Sequence, residues 1–190
     1  MHITKVNDDG LCQLRLFEEC VNFIPDLNPN EKFSRLIKKL IRDRYFALRF
    51  HSIQFYVTAP LFVYYGLKEL FPNQLIMVPS KADEYRCWET CGKFTKAEDV
   101  ILGNIFDQVR LLSTTLDNSN LLHILPMCTH VNFHMTLDIL AIYELLSKLS
   151  NEKNYNSKMV EFSMDLFRVI HEIDPVLFNE ELLKLYKTRS

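Results

Sequence analysis

Apolar positions recur at helical spacing along most of this chain, and the polar residues between them carry helix starts and stops. From Pro29, the apolar residues Phe33, Leu36, Ile37, Leu40, Ile41 and Leu48 fall on one helical face. Asn28, Pro29 and Glu31 form a capping-box-like start. The spacing predicts a helix from Pro29 to about Val57, bent or broken near Phe50. Thr58-Ala59-Pro60 restarts a helix that is apolar nearly all round and stops at Pro72. Its flanks are dense in aromatics, from Tyr45 and Phe46 to Phe71, so this stretch is the expected centre of the core.

The remaining pattern extends the same reading. Residues 1–7 read as a lead-in. Leu14, Phe17, Val21 and Ile24 mark a helix from about Leu11, started by Asp8 or Asp9 and ended by Pro25. Ser80 to Asp83 and Gly92 bracket a short helix over 81–91. Thr95-Lys96-Ala97-Glu98 is a capping box, followed by a seam of Leu102, Ile105, Val109, Leu112 and Leu116. A short helix is expected from Leu121 to Leu125, and a longer one from Thr129 to Leu149 with Phe133, Leu137, Leu140 and Leu145 inward. Beyond a polar loop at 150–157, Met159, Phe162, Leu166, Ile170 and Ile173 line another helix. Asp174-Pro175 opens a last one to about Tyr186. No strand stands out by period-two alternation. Leu75 to Val78 comes nearest. The expected fold is therefore all-α: antiparallel helices in a compact bundle or a short repeat stack, one domain over 1–190, with lobes 8–71 and 80–190 on either side of a connector.

Composition narrows the function classes. Charges nearly balance, at a formal net charge of −2, which does not favour a free-standing duplex binder. The longest apolar run, Val57 to Leu67, falls short of the ~18 residues that a membrane span needs. The first residues lack a secretory apolar region, and an odd count of five cysteines argues for reduced thiols in cytosol or nucleus. With four glycines, neither a dinucleotide-binding fingerprint nor a P-loop is present.

Two strings carry a resemblance. Ile124-Leu125-Pro126-Met127 is similar to segments of HEAT-type repeats. Leu166-Phe167, Glu172-Ile173-Asp174 and Leu177-Phe178-Asn179-Glu180 resemble the closing helices of protein phosphatase 2A regulatory subunits of that α-solenoid (HEAT/armadillo) class. The resemblance covers about the last third and implies a protein-binding scaffold, with no functional residues carried over.

Candidate sites follow from residue type and spacing. Lys32, Arg35, Lys38, Lys39 and Arg42 form a basic helix face, suited to an acidic partner or nucleic acid or else to simple solvation. Trp88, the single tryptophan, is a candidate partner anchor. Cys87 and Cys91 with His130 and His134 have spacings compatible with zinc, provided that both pairs lie on helices and meet. Cys128 beside His130 or His134 is the obvious thiol–imidazole pair, but residues two apart on a helix diverge. The expectation is a non-enzymatic interaction or scaffold domain, without a cofactor unless zinc is bound, that receives a partner peptide or helix. The alternatives are an apolar-ligand domain using the aromatic stretch, analogous in architecture to nuclear-receptor-like bundles, and a nucleic-acid-contacting adaptor through residues 32–49.

Overall fold

A computed structural model describes residues 1–7, 29–78, 96–113, 125, 127–149 and 157–187. Four strands, β1 (His2–Asn7), β2 (Ser52–Pro60), β3 (Leu75–Met77) and β4 (His130–Asp138), form one sheet in the order β1-β2-β4-β3. Among the described residues six helices accompany them: α1 (Pro29–Arg42), α2 (Leu61–Leu70), α3 (Lys96–Ser113), α4 (Ile139–Leu149), α5 (Ser157–Ile173) and α6 (Glu180–Lys187). A 3₁₀ turn spans Phe46–Phe50. The fold is a sheet with helices, so the all-α expectation, whether bundle or HEAT-like stack, is overturned.

The cause is local. In β2, Ile53, Phe55, Val57 and Ala59 are buried, whereas Ser52 and Gln54 are exposed and Tyr56 and Thr58 half-buried. In β4, Val131, Phe133, Met135 and Leu137 are buried and alternate with His130, Asn132, His134, Thr136 and Asp138. This is the period-two pattern of a strand with one face in the core. Phe133 and Leu137 are inward as the helical reading expects, but they are four apart, and a spacing of four fits a strand as well as a helix.

Residues 1–2 and 56–134 make one compact unit, and residues 3–55 and 135–190 another. In the first, α2 starts directly after Pro60. Its first amides are satisfied by carbonyls just before β4: Leu61 N–H donates to Thr129 O (2.8 Å) and Phe62 N–H to Met127 O (2.9 Å). Such partners are what an uncapped helix start requires. Leu61, Val63, Tyr64 and Leu67 are buried, and the Tyr64 ring meets Phe133 edge-on at 5.2 Å. Each fully buried side chain of this size contributes roughly 1.5–3 kcal/mol. Along α3, Ile105 and Leu112 are exposed, which removes them from the expected packing seam.

In the second unit α4 is the central element. It follows β4 without a loop, and Asp138 Oδ1 accepts from Ala141 N–H (2.7 Å) as its N-cap. Eight of its eleven residues are buried, so it is packed nearly all round. It packs against α5, α6 and the 3₁₀ turn, while α1 packs against α6. The last helix starts at Asn179, whose Oδ1 accepts from Leu182 N–H (3.0 Å). Asp174 instead caps the preceding turn through Val176 and Leu177 N–H. The expected helix over 11–24 and the one over 81–91 lie outside the described residues.

Candidate functional site

Helix α1 does not run on to Val57. It ends at Arg42 because its last carbonyls are closed by a Schellman turn. Tyr45 N–H donates to Leu40 O (2.8 Å) and Arg44 N–H to Ile41 O (3.1 Å). This turn needs one residue in the left-handed region, usually glycine. Here it is Arg44, at φ 48°, and among the described residues no other non-glycine has a positive φ. For a residue with a Cβ this conformation costs about 1–2 kcal/mol.

The strained backbone aims a guanidinium into a cleft of about 330 Å³ lined by Arg44, Arg49, Leu140, Glu144, Ser147, Lys148 and Tyr186. The guanidinium of Arg44 lies 4.6 Å over the centroid of the Tyr186 ring. That ring is held in turn. It stacks on Tyr143 at 5.6 Å, and Tyr143 stacks on Phe178 at 5.9 Å. The Tyr143 hydroxyl donates to the Leu177 carbonyl. Burial, with Asp174 adding to it, pushes the Tyr143 phenol far above the ordinary tyrosine range. Burial also raises Tyr186. Arg44 pulls that phenol down, Glu144 pushes it up, and Lys148 and Arg49 pull it down, so all four charges act on one ring. Lys148 donates to Glu144 at 2.7 Å across one helical turn. Among the described residues the lining places Arg44, Arg49 and Lys148 with one carboxylate, Glu144, which pairs with Lys148. Next to Arg44 and Arg49 in sequence, Tyr45, Phe46 and Phe50 are exposed, and the two phenylalanine rings meet edge-on at 4.9 Å.

The same unit has a second cleft, of about 320 Å³, lined by Leu146, Ser163, Met164, Phe167, Glu180, Leu183, Lys184 and Lys187. Its Ser163 hydroxyl donates to Val160 O (2.9 Å).

The sequence-predicted residues are dispersed. Arg35 and Lys39 are exposed on α1. Lys38 donates to Glu181 on α6 (2.7 Å), and Arg42 pairs with Asp43 (3.0 Å). That carboxylate raises the Arg42 guanidinium. Lys32 lies within α1. Part of the basic face is thus already neutralised by the chain's own carboxylates. His130 and His134 sit on β4, not on a helix. Four strand residues span about 13 Å, too far for one ion, so the i,i+4 argument for zinc fails. His134 instead meets the Tyr56 ring edge-on at 5.3 Å. Among the described residues no group of three metal-ligating side chains converges. Cys87, Cys91 and Trp88 lie outside those residues. No described helix is long and apolar enough to cross a membrane.

Arg44, Arg49, Lys148 and Tyr186 are not singled out by the sequence. Arg44 and Arg49 count in the basic stretch, but a helix that ends without glycine gives no sign that an arginine will take the left-handed position.

No protein-family model matches the sequence, and no curated protein matches it by sequence. Solved structures do match. Thymidylate synthase X (ThyX) from Helicobacter pylori, with FAD and dUMP, superposes at a TM-score of 0.73 and 14% identity, over 97% of this chain and 100% of that one. A second structure of the flavin-dependent thymidylate synthase ThyX from Helicobacter pylori, complexed with FAD and dUMP, gives 0.70 and 14%, over 95% and 99%. The neighbours are enzymes with an α/β fold, not HEAT or armadillo solenoids. The solenoid resemblance is thereby corrected. The expectations of a non-enzymatic scaffold, of a chain without cofactor and of a groove for a partner peptide are corrected as well, because the superposed structures are of an enzyme with FAD and dUMP. By its described elements and by these superpositions, the chain has the fold of flavin-dependent thymidylate synthase ThyX.

Proposed function

We propose that this chain is an enzyme of the flavin-dependent thymidylate synthase type, binding FAD and dUMP. The observation that carries the reading is the superposition on ThyX over nearly the whole length of both chains. Thymidylate differs from dUMP by one methyl group on the uracil ring, so such a reaction needs a one-carbon donor and reducing equivalents. A bound flavin would supply hydride transfer.

The chain's own residues fit the two kinds of group such ligands present. Phosphates call for cations in a partly enclosed place, and Arg44, Arg49 and Lys148 gather in one cleft. Planar heterocycles call for aromatic faces, and Tyr45, Phe46 and Phe50 are exposed beside it in sequence. The test is direct. Purified protein is titrated with FAD while flavin fluorescence is followed, then incubated with dUMP, a one-carbon donor and a reductant, and dTMP is sought by chromatography. Saturable flavin binding with dTMP formation is the expected result. A protein that binds neither FAD nor dUMP would overturn the reading.

A further inference from the structure

Spacing along two helices builds the second cleft. On α6, Glu180, Leu183, Lys184 and Lys187 share one helical face. On α5, Ser163, Met164 and Phe167 sit within one turn. Both helices pack against α4, which contributes Leu146, and the space so lined is about 320 Å³. That size suits one small molecule. Among the described residues the apolar lining is Leu146, Met164, Phe167 and Leu183. Phe167 supplies the aromatic ring, and it already stacks on His171 at 5.9 Å. Met164 is 68% exposed, and its unbranched thioether chain adapts to what it meets. Such a lining grips a flexible alkyl chain better than a flat ring. The polar groups then decide which end of a ligand goes where. The Ser163 hydroxyl gives its proton to Val160 O (2.9 Å), so it has none to offer an anion. Lys184 and Lys187 stand one turn apart on α6. Lys184 meets Glu180 only at 3.5 Å, between exposed side chains, and an ammonium held that loosely can turn to another carboxylate.

We propose that this cleft binds a straight-chain aliphatic carboxylate, with the alkyl chain over Leu146, Phe167 and Leu183 and the carboxylate at Lys184 and Lys187. Burial of the alkyl chain supplies most of the binding. The two ammoniums orient the head, and their own methylene stems extend the apolar wall. The cleft shares no described lining residue with the one around Arg44. The proposal therefore goes beyond the FAD and dUMP reading and does not depend on it.

The test is isothermal titration of the full chain with butyrate, hexanoate, octanoate and octanol, at low and moderate salt. Octanoate is expected to bind as one molecule per chain. Affinity should rise about threefold per added methylene from butyrate to octanoate. Octanol, which lacks the carboxylate, should bind about fivefold more weakly than octanoate at low salt, and the gap should narrow as salt rises. Met164→Glu sets a like charge at an exposed wall position and should weaken octanoate about tenfold. Because the position is exposed, folding is expected to be intact, as circular dichroism will check. Replacing both lysines, Lys184→Gln with Lys187→Gln, should remove most of the advantage of octanoate over octanol. No octanoate binding by the unaltered chain, or no gain with chain length, would overturn the proposal. So would equal affinity for octanoate and octanol at low salt, or unaltered octanoate affinity in Met164→Glu. Octanoate binding without FAD binding would leave this site standing and remove the thymidylate synthase reading. FAD binding with dTMP formation but no octanoate binding would do the reverse.

Discussion

Two clefts of nearly equal volume lie in the unit formed by residues 3–55 and 135–190, and both lean on α4. One takes Leu140, Glu144, Ser147 and Lys148 from that helix and adds two arginines and a braced tyrosine. The other takes Leu146 and adds Phe167, Met164 and Leu183, with lysines at its rim. Size does not distinguish them. What differs is whether charge is concentrated and held. In the second cleft Lys184 reaches Glu180 at 3.5 Å, with both side chains more than three-quarters exposed, so that pair is loosely held. In the first, cations lie around one ring, Tyr186, that Tyr143, itself stacked on Phe178, keeps in position. Fixed, concentrated charge is what makes an anion site.

The largest expected effect comes from removing the brace. Tyr143→Ala takes away a buried ring that supports Tyr186 and Phe178 together, and should destabilise the chain by about 3–5 kcal/mol. Denaturant titration followed by circular dichroism measures this. Phe167→Ala, in the second cleft, removes a half-buried ring stacked on His171 at 5.9 Å. It should cost about 1–2 kcal/mol, less than full burial would imply, and leave phosphate binding in the first cleft unchanged. Equal loss of phosphate affinity in both variants would erase the distinction between the clefts.

A smaller effect separates the brace's shape from its hydroxyl. Tyr143→Phe keeps the ring but strands the buried Leu177 carbonyl, at a cost of about 1–2 kcal/mol. It also changes the response to alkali. The folded-state phenol is raised above its unfolded value, so its contribution is complete below about pH 10 and is lost as pH rises towards the folded value. Tyr186 acts in the same direction. Stability should therefore decline above about pH 10, and Tyr143→Phe should flatten most of that decline in urea titrations repeated across pH.

The smallest effect is in the backbone. Lys39→Gly, within α1, should cost about 1 kcal/mol through helix propensity. Arg44→Gly, two residues past the end of α1, should be near neutral. Relief of about 1–2 kcal/mol of left-handed strain is offset by a lost cation–π contact of about 0.5–1 kcal/mol and by the chain entropy of glycine. Thermal denaturation of the two variants side by side reads the difference.

The same physics explains which parts of the fold were legible in the sequence. Helices α1, α2, α3 and α5 are visible because their starts are marked by Pro29, Pro60 and the Thr95 box, or because one apolar stripe runs through them. Strands β2 and β4 were hidden by their neighbours. Each runs into a helix with no turn residue between, at Pro60–Leu61 and at Asp138–Ile139, so helical spacing from the following element extends backwards over the strand. The alternation of Val131, Phe133, Met135 and Leu137 with Asn132, His134, Thr136 and Asp138 was the signal that could have separated them. The cleft was less legible still. Arg44 and Tyr186 are 142 positions apart, and only the folded chain brings them together.

The proposed function is that this fold serves FAD and dUMP in this chain. The most direct measurement is a fluorescence titration of the purified protein with FAD, in the absence and presence of dUMP, with the product of the complete reaction analysed for dTMP. Saturable FAD binding that responds to dUMP, together with dTMP formation, is the predicted result. A chain that leaves FAD fluorescence unchanged at every concentration, with or without dUMP, and forms no dTMP would contradict it.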